Sequence, residues 1–463
     1  MTALGINPES ASAREWETLT GRVMTRLLAA YERSHIRYVV LRNYERWPED
    51  FGKDVDLVVH RDDLAVSHLI VADVARELDL EWSVRRKRSG HYTYYLLPTP
   101  VDGVERGVLL DIRPDLVHHG FCYLPGEVVL AGRRRHERFC VPTPAMESLG
   151  ILLHCVIDAK SVRPSYAERL RQLGTGDVEE LRKAAVALVG AKLAERLIAL
   201  LDARMAESAT ALRGRLLVAG ACRHPGAAAR WIRARSGAVW DRVRDFILPP
   251  GEMVILVGPD GAGKSTLTEQ VVRRLSATRI PASPVYLGAQ KPLLPTRKWS
   301  QQVRRAMGQS QKAKGPKDVD RKQRLRGLLH IMADKWARYL VYVRPRLVRG
   351  EVVVVDRYFY DLRTFAHPLV KSRFVEGFVM RLIPEPALAF CLVADPELIT
   401  IRKHELTVAE TARQIECYRG IRRWVRNFRE IPADGHLPTV IDSITSDVVR
   451  VYAARRSTGA HRA

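Results

Sequence analysis

The chain has 463 residues and a mass of 52.4 kDa, long enough for two or three domains. Hydrophobic residues make up 46% and charged residues 27%, which excludes a wholly disordered, collagenous or disulfide-scaffold protein. The balance of 75 − 52 = +23, with a pI near 10.0, favours anionic partners: nucleotides, nucleic acid or an acidic membrane surface.

No run approaches the ~18 apolar residues that span a bilayer, so no transmembrane segment is expected. Met1-Thr2-Ala3-Leu4-Gly5 has no basic region followed by an apolar stretch, so no secretory signal is expected either. The six cysteines form no C-x-x-C pair and read as reduced thiols of a cytoplasmic protein.

From about residue 15 to 142, short β-like runs alternate with loops. Tyr38–Leu41, Val55–Val59, Tyr92–Leu97 and Val108–Ile112 are the expected strands. Asp54 and Asp56 flank one strand position, so their side chains share a face, and Asp111 adds a carboxylate from another strand. Three such groups suit Mg²⁺ in nucleotidyl transfer, and all three are candidate metal ligands. A solvated strand edge and a degenerate, substrate-binding site are the competing readings. The region resembles the nucleotidyltransferase superfamily, whose signature is a D-x-D strand with a later acidic strand. That resemblance implies an N-terminal α+β domain over 1–142. The superfamily's Gly-Ser turn is replaced here by Leu41-Arg42-Asn43-Tyr44, where Arg42 and Asn43 are possible phosphate contacts.

Residues 143–247 read as a helical connecting region. Leu149, Leu152, Leu153 and Val156 recur at helical spacing, as do Leu193, Leu197, Leu200 and Leu201. Its last part, 227–248, is expected to be a basic amphipathic helix carrying Trp231, Ile232, Val239, Trp240 and Phe246. Pro249-Pro250-Gly251 then breaks the chain.

Residues 248–463 alternate strand and helix. Met253–Val257, Glu351–Val355, Ala387–Val393 and Thr439–Ile441 are the expected strands of a parallel sheet with helices on both faces. The stretch 291–326 is strongly basic, and with 227–248 it is the expected contact for nucleic acid or an anionic membrane.

Gly258-Pro259-Asp260-Gly261-Ala262-Gly263-Lys264-Ser265-Thr266 fits G-x-x-x-x-G-K-[ST] between a strand and a helical stretch over Thr266–Leu275. Glycines let the backbone turn and aim N–H groups at phosphate oxygens, and the new helix points its positive end the same way. The pattern makes Gly258 through Thr266 the expected ATP site. Lys264 would reach the β- and γ-phosphates, Ser265 would hold Mg²⁺, and Asp260 would join the metal shell or an acceptor hydroxyl. Asp356 and Arg357 follow a buried strand, where open α/β sheets bind ligands. Asp356 would orient a metal-bound water or an acceptor oxygen, and Arg357 would fork onto an anion. Since the loop has no basic residue before Lys264, a mobile arginine is needed. Arg402 is the expected one, with Lys403 and Arg413 nearby.

Residues 252–455 resemble the thymidylate kinase family of P-loop kinases through Gly258–Thr266, Asp356-Arg357-Tyr358, and Asp395-Pro396-Glu397 with the Arg402-Lys403 segment. The resemblance implies transfer of the γ-phosphoryl group of ATP to a nucleoside monophosphate such as dTMP, and often a homodimer. The family's Arg-Glu-Pro-Gly stretch is replaced by Val285–Pro292. A related small acceptor, including a sugar or polyol of polysaccharide or specialised metabolism, is therefore the alternative. A nucleotidyltransferase working through Asp54, Asp56 and Asp111 is a second. A non-catalytic, nucleotide-gated binding module is a third.

Overall fold

The computed structural model describes residues 18–45, 47, 54–86, 91–98, 106–118, 121–159, 164–173, 178–201, 212–218, 227–288, 321–364, 373–402, 407–433 and 435–460. The chain is mixed α/β. The described residues of 1–98, 105–242 and 453–463 form one compact unit, and those of 243–452 form another.

The first unit is built on a five-stranded sheet. Its strands are β1 (Tyr38–Val40), β2 (Val55–Val59), β3 (Leu80–Arg86), β4 (Tyr92–Pro98) and β5 (Val108–Arg113), in the order β1-β2-β5-β4-β3. Only β2 and β5 run parallel, with Asp56 opposite Asp111. Residues of β1 and β2 are buried on both sheet faces, and alternation sends them to two cores. Val40, Val55, Leu57 and Val59 meet the helices Leu19–Arg33 and Leu64–Glu77, while Val39 and Val58 meet the helices between Pro144 and Ile198. The first helix starts where Thr18 accepts a hydrogen bond from the Gly21 N–H, 3.1 Å. Its Val23, Leu27 and Tyr31 are fully buried at a spacing of four, and a buried Leu of this kind stabilises the fold by about 2 kcal/mol. Two ribbons complete the unit: β6 (Leu116–His118) with β7 (Phe121–Leu124), and β8 (Arg133–His136) with β9 (Phe139–Pro142).

The second unit holds the expected parallel sheet, with five strands: β10 (Glu252–Val257), β11 (Ala282–Tyr286), β12 (Val352–Asp356), β13 (Leu388–Val393) and β14 (Phe428–Pro432). Their order is β11-β12-β10-β13-β14, and every pair is parallel. The strands β10 and β12 are buried throughout, as apolar runs in a covered sheet should be.

The expected strand Thr439–Ile441 is instead part of the helix Leu437–Ala460, and the edge strand is β14. Val440, Ile441, Ile444, Val448 and Tyr452 are all buried, and that spacing lines one helix face. In β14 only Ile431 is buried, so the run lacks the apolar signature of a strand. The strands β3 and β11 were likewise not anticipated. The expected helix at 227–248 spans Ala227–Ile247, and the one after the glycine-rich loop spans Lys264–Ala277. Among the described residues no helix is long and apolar enough to cross a membrane.

Candidate functional site

Chain direction decides where a site can form in the second unit. The chain leaves β10 towards β11 on one side and leaves β12 towards β13 on the other. The segments that follow these adjacent strands therefore diverge, opening a crevice at their carboxyl ends. Gly258–Thr266 follows β10, and Asp356-Arg357 closes β12.

Gly258, Gly261 and Gly263 have φ of 154°, 90° and 84°, values that L side chains rarely adopt. A Cβ on Gly258 would also approach the Leu392 carbonyl oxygen to 3.0 Å. Gly263 caps the helix that Lys264 opens, so the N–H groups of Lys264, Ser265 and Thr266 lie in its first turn, and Ala262 is buried below the loop. Lys264 is itself buried. Its Nζ donates to the Gly258 carbonyl at 2.9 Å and the Pro259 carbonyl at 2.6 Å, so the amine lies under its own loop.

The Ser265 hydroxyl donates to Asp356 Oδ2 at 2.6 Å, joining two motifs 91 residues apart. Asp356 Oδ1 is buried with no hydrogen-bond partner among the described residues. Burial raises the Asp356 pKa, against the lowering effect of the Ser265 hydrogen bond and the Lys264 charge. Arg357 has φ of 68°, and its guanidinium pairs with Asp260. Asp260 also lies 3.7 Å from Lys264 Nζ. Asp260, Lys264 and Arg357 thus make one charged chain across the crevice.

Arg402 is the last residue of the helix Pro396–Arg402. Its side chain, Lys403 and the stretch 291–320 lie outside the described residues. Arg413 donates to the Thr364 carbonyl at 3.3 Å, which ties it to the turn after β12.

Sequence reasoning missed a brace at the same edge. Lys335, buried, donates to the Tyr358 carbonyl at 3.0 Å and the Leu287 carbonyl at 3.4 Å, and Arg338 donates to the Gly288 carbonyl. Burial lowers the Lys335 pKa; Asp361, 3.9 Å away, opposes this. Tyr418 donates to Asp361 at 3.0 Å. The pair Lys335 and Arg338, three apart on one helix, therefore fastens the carboxyl ends of β11 and β12 together. Their spacing was the only available signal, hidden in a chain rich in basic residues.

In the first unit, Asp54, Asp56 and Asp111 converge, with carboxylate oxygens within 4.8 Å of one another. Arg42 and Arg113 both bond Asp56, and His91 meets Asp111. Arg113 and His91 were not anticipated, although Arg113 lies two residues beyond Asp111 in β5 and so on its face. Beside the cluster is a cavity of about 70 Å³ lined by Arg42, Asp56 and Arg113 and by apolar side chains including Tyr123, Met146 and Ile151.

On the helix Ala227–Ile247, Ile232, Val239, Trp240 and Phe246 are exposed. No protein-family model matches this chain, and neither does any curated protein.

Proposed function

We propose that the second unit is an ATP-dependent phosphotransferase, resembling the thymidylate kinases, that moves the γ-phosphoryl group to a nucleoside monophosphate or a related small acceptor. The observation that carries this reading is the Ser265–Asp356 hydrogen bond. It unites the glycine-rich loop with the acidic end of a neighbouring strand, at the place where parallel sheets bind ligands.

Each residue has a physical task in this reading. The loop N–H groups and the positive helix end receive phosphate oxygens. Lys264 exchanges its two carbonyl partners for the β- and γ-phosphates. Ser265 and Asp356 offer hard oxygen donors, and the unpartnered Asp356 Oδ1 fits them to Mg²⁺. When bound, that ion neutralises charge on the transferred group. Arg357 grips the anionic acceptor, held until then by Asp260. An acceptor phosphate oxygen has no proton to lose. It forms the new P–O bond as the β–γ bridging bond breaks, and ADP departs. A hydroxyl acceptor would pass its proton to Asp260. Arg402 is the proposed lid arginine that closes over the transferred group and excludes water.

The test is transfer from γ-labelled ATP with Mg²⁺ to a panel of nucleoside monophosphates, sugars and polyols. Lys264→Ala should reduce transfer at least about a hundredfold, since it removes a preorganised positive charge. Labelled product that survives unchanged in Lys264→Ala would refute the reading. Which panel member is labelled distinguishes a nucleotide kinase from a sugar or polyol kinase.

A further inference from the structure

The acidic trio of the first unit has the layout of a metal site, yet the oxygens of Asp56 and Asp111 already face cations. Arg42 Nη2 lies 2.5 Å and Nε 2.7 Å from Asp56 Oδ2, while Arg113 Nη2 lies 2.5 Å from Asp56 Oδ1. Both oxygens of the buried carboxylate are therefore taken. Arg113 also reaches Asp111 Oδ2 at 3.3 Å, and His91 Nε2 lies 3.1 Å from Asp111 Oδ1. Arg42 is anchored in turn by the Tyr166 hydroxyl. Two guanidiniums and an imidazole thus engage two of the three carboxylates, Asp56 and Asp111, that a dication would need.

Charge makes the two occupants exclusive. A dication among these oxygens would sit against both guanidiniums, in a poorly solvated site where like charges repel strongly. To expel Arg42 and Arg113 would strip two charge-assisted pairs from the buried Asp56 carboxylate and leave that charge unpaired. The residues present do not fit a resident Mg²⁺.

We infer that Arg42 and Arg113 are built-in cations standing where the converging carboxylates would otherwise take a metal, and that the first unit's acidic cluster is closed to dications. The trio then has a structural task. It locks two arginines against the adjoining cavity, and whatever that cavity receives binds without a metal ion. Metal-dependent nucleotidyl transfer by Asp54, Asp56 and Asp111 is excluded on this reading. The inference is independent of the phosphotransferase proposal, which concerns other residues.

The test uses Mn²⁺ binding to the full chain, followed by electron paramagnetic resonance without nucleotide. Wild type and Asp111→Asn should give the same isotherm. Arg113→Gln, which frees an oxygen of Asp56 and of Asp111, should gain a site at least tenfold tighter than any in wild type. Its melting temperature should rise with Mn²⁺ by more than that of wild type, since the second unit keeps the proposed Ser265–Asp356 site in both proteins. Arg42→Gln serves as the second gain-of-site variant if Arg113→Gln does not fold, and Arg113→Lys should stay closed. A wild-type Mn²⁺ site that Asp111→Asn abolishes would overturn the inference. So would a folded Arg113→Gln or Arg42→Gln that gains no site.

Discussion

Arg357 occupies a backbone conformation that its own chemistry disfavours. At φ of 68° its Cβ crowds the backbone, at a cost of about 1–2 kcal/mol. Such strain persists where the surroundings over-determine it, and here the Asp260 ion pair and the end of β12 do so. Arg357→Gly should therefore be more stable than Arg357→Ala by about 1 kcal/mol in denaturant titrations, because both lose the ion pair and only glycine relieves the strain. The proposed phosphoryl transfer should be lost in both. Asp111 gives a second test at this scale. Burial alone would raise its pKa. The close approach of His91, 3.1 Å away, and the Arg113 charge outweigh that and hold it at about 2, below the ordinary 3.8. A depressed carboxyl stabilises the fold above its unfolded value and ceases to as pH falls through the folded one. Wild type should thus exceed Asp111→Asn by about 2 kcal/mol at pH 6, and the difference should vanish between about pH 4 and pH 2 in urea melts.

Elements followed their local signals where one periodicity ruled and departed from them where two competed. The apolar runs of β10 and β12 carry no helical alternative, and both formed as expected. At Thr439–Ile441 a β-branched triplet is embedded in a longer helical repeat, and the repeat wins because it buries Ile444, Val448 and Tyr452 on the same face. Ile444→Ala, at a fully buried position, should cost about 3 kcal/mol in thermal or chemical unfolding. Leu437→Ala, in the same helix but exposed, should cost less than about 1 kcal/mol. Equal costs at the two positions would contradict the helical register. The glycine-rich loop was legible because its conformational demands are local. Three glycines with positive φ and a lysine at the first helical position are written into nine consecutive residues.

At the scale of the molecule, the two units have separate cores. The two clusters of the first unit stay within it, and the cluster around β10 and β12 stays within the second. A ligand that binds only the folded second unit should stabilise that unit by RT ln(1 + [L]/Kd), or about 2.7 kcal/mol at a hundredfold excess over Kd. Calorimetry with ATP and Mg²⁺ should accordingly raise a melting transition in wild type and leave Lys264→Ala unmoved. A shift of equal size in both proteins would place the nucleotide elsewhere.

The sequence by itself determined the parts that depend on neighbours in the chain: the Gly258–Thr266 loop, the strands that feed it, the Asp356-Arg357 strand end and the pairing of Asp54 with Asp56. Contiguity was enough, because turn geometry and strand alternation act over a few residues. Only the tertiary structure decided what those groups meet. It set Ser265 on Asp356 and Arg357 on Asp260, fastened β11 to β12 through Lys335 and Arg338, and set Arg42 and Arg113 on Asp56. These partners are scattered along the chain and are brought together by sheet order and register. Among 75 lysines and arginines no local pattern marks the few that burial and charge select.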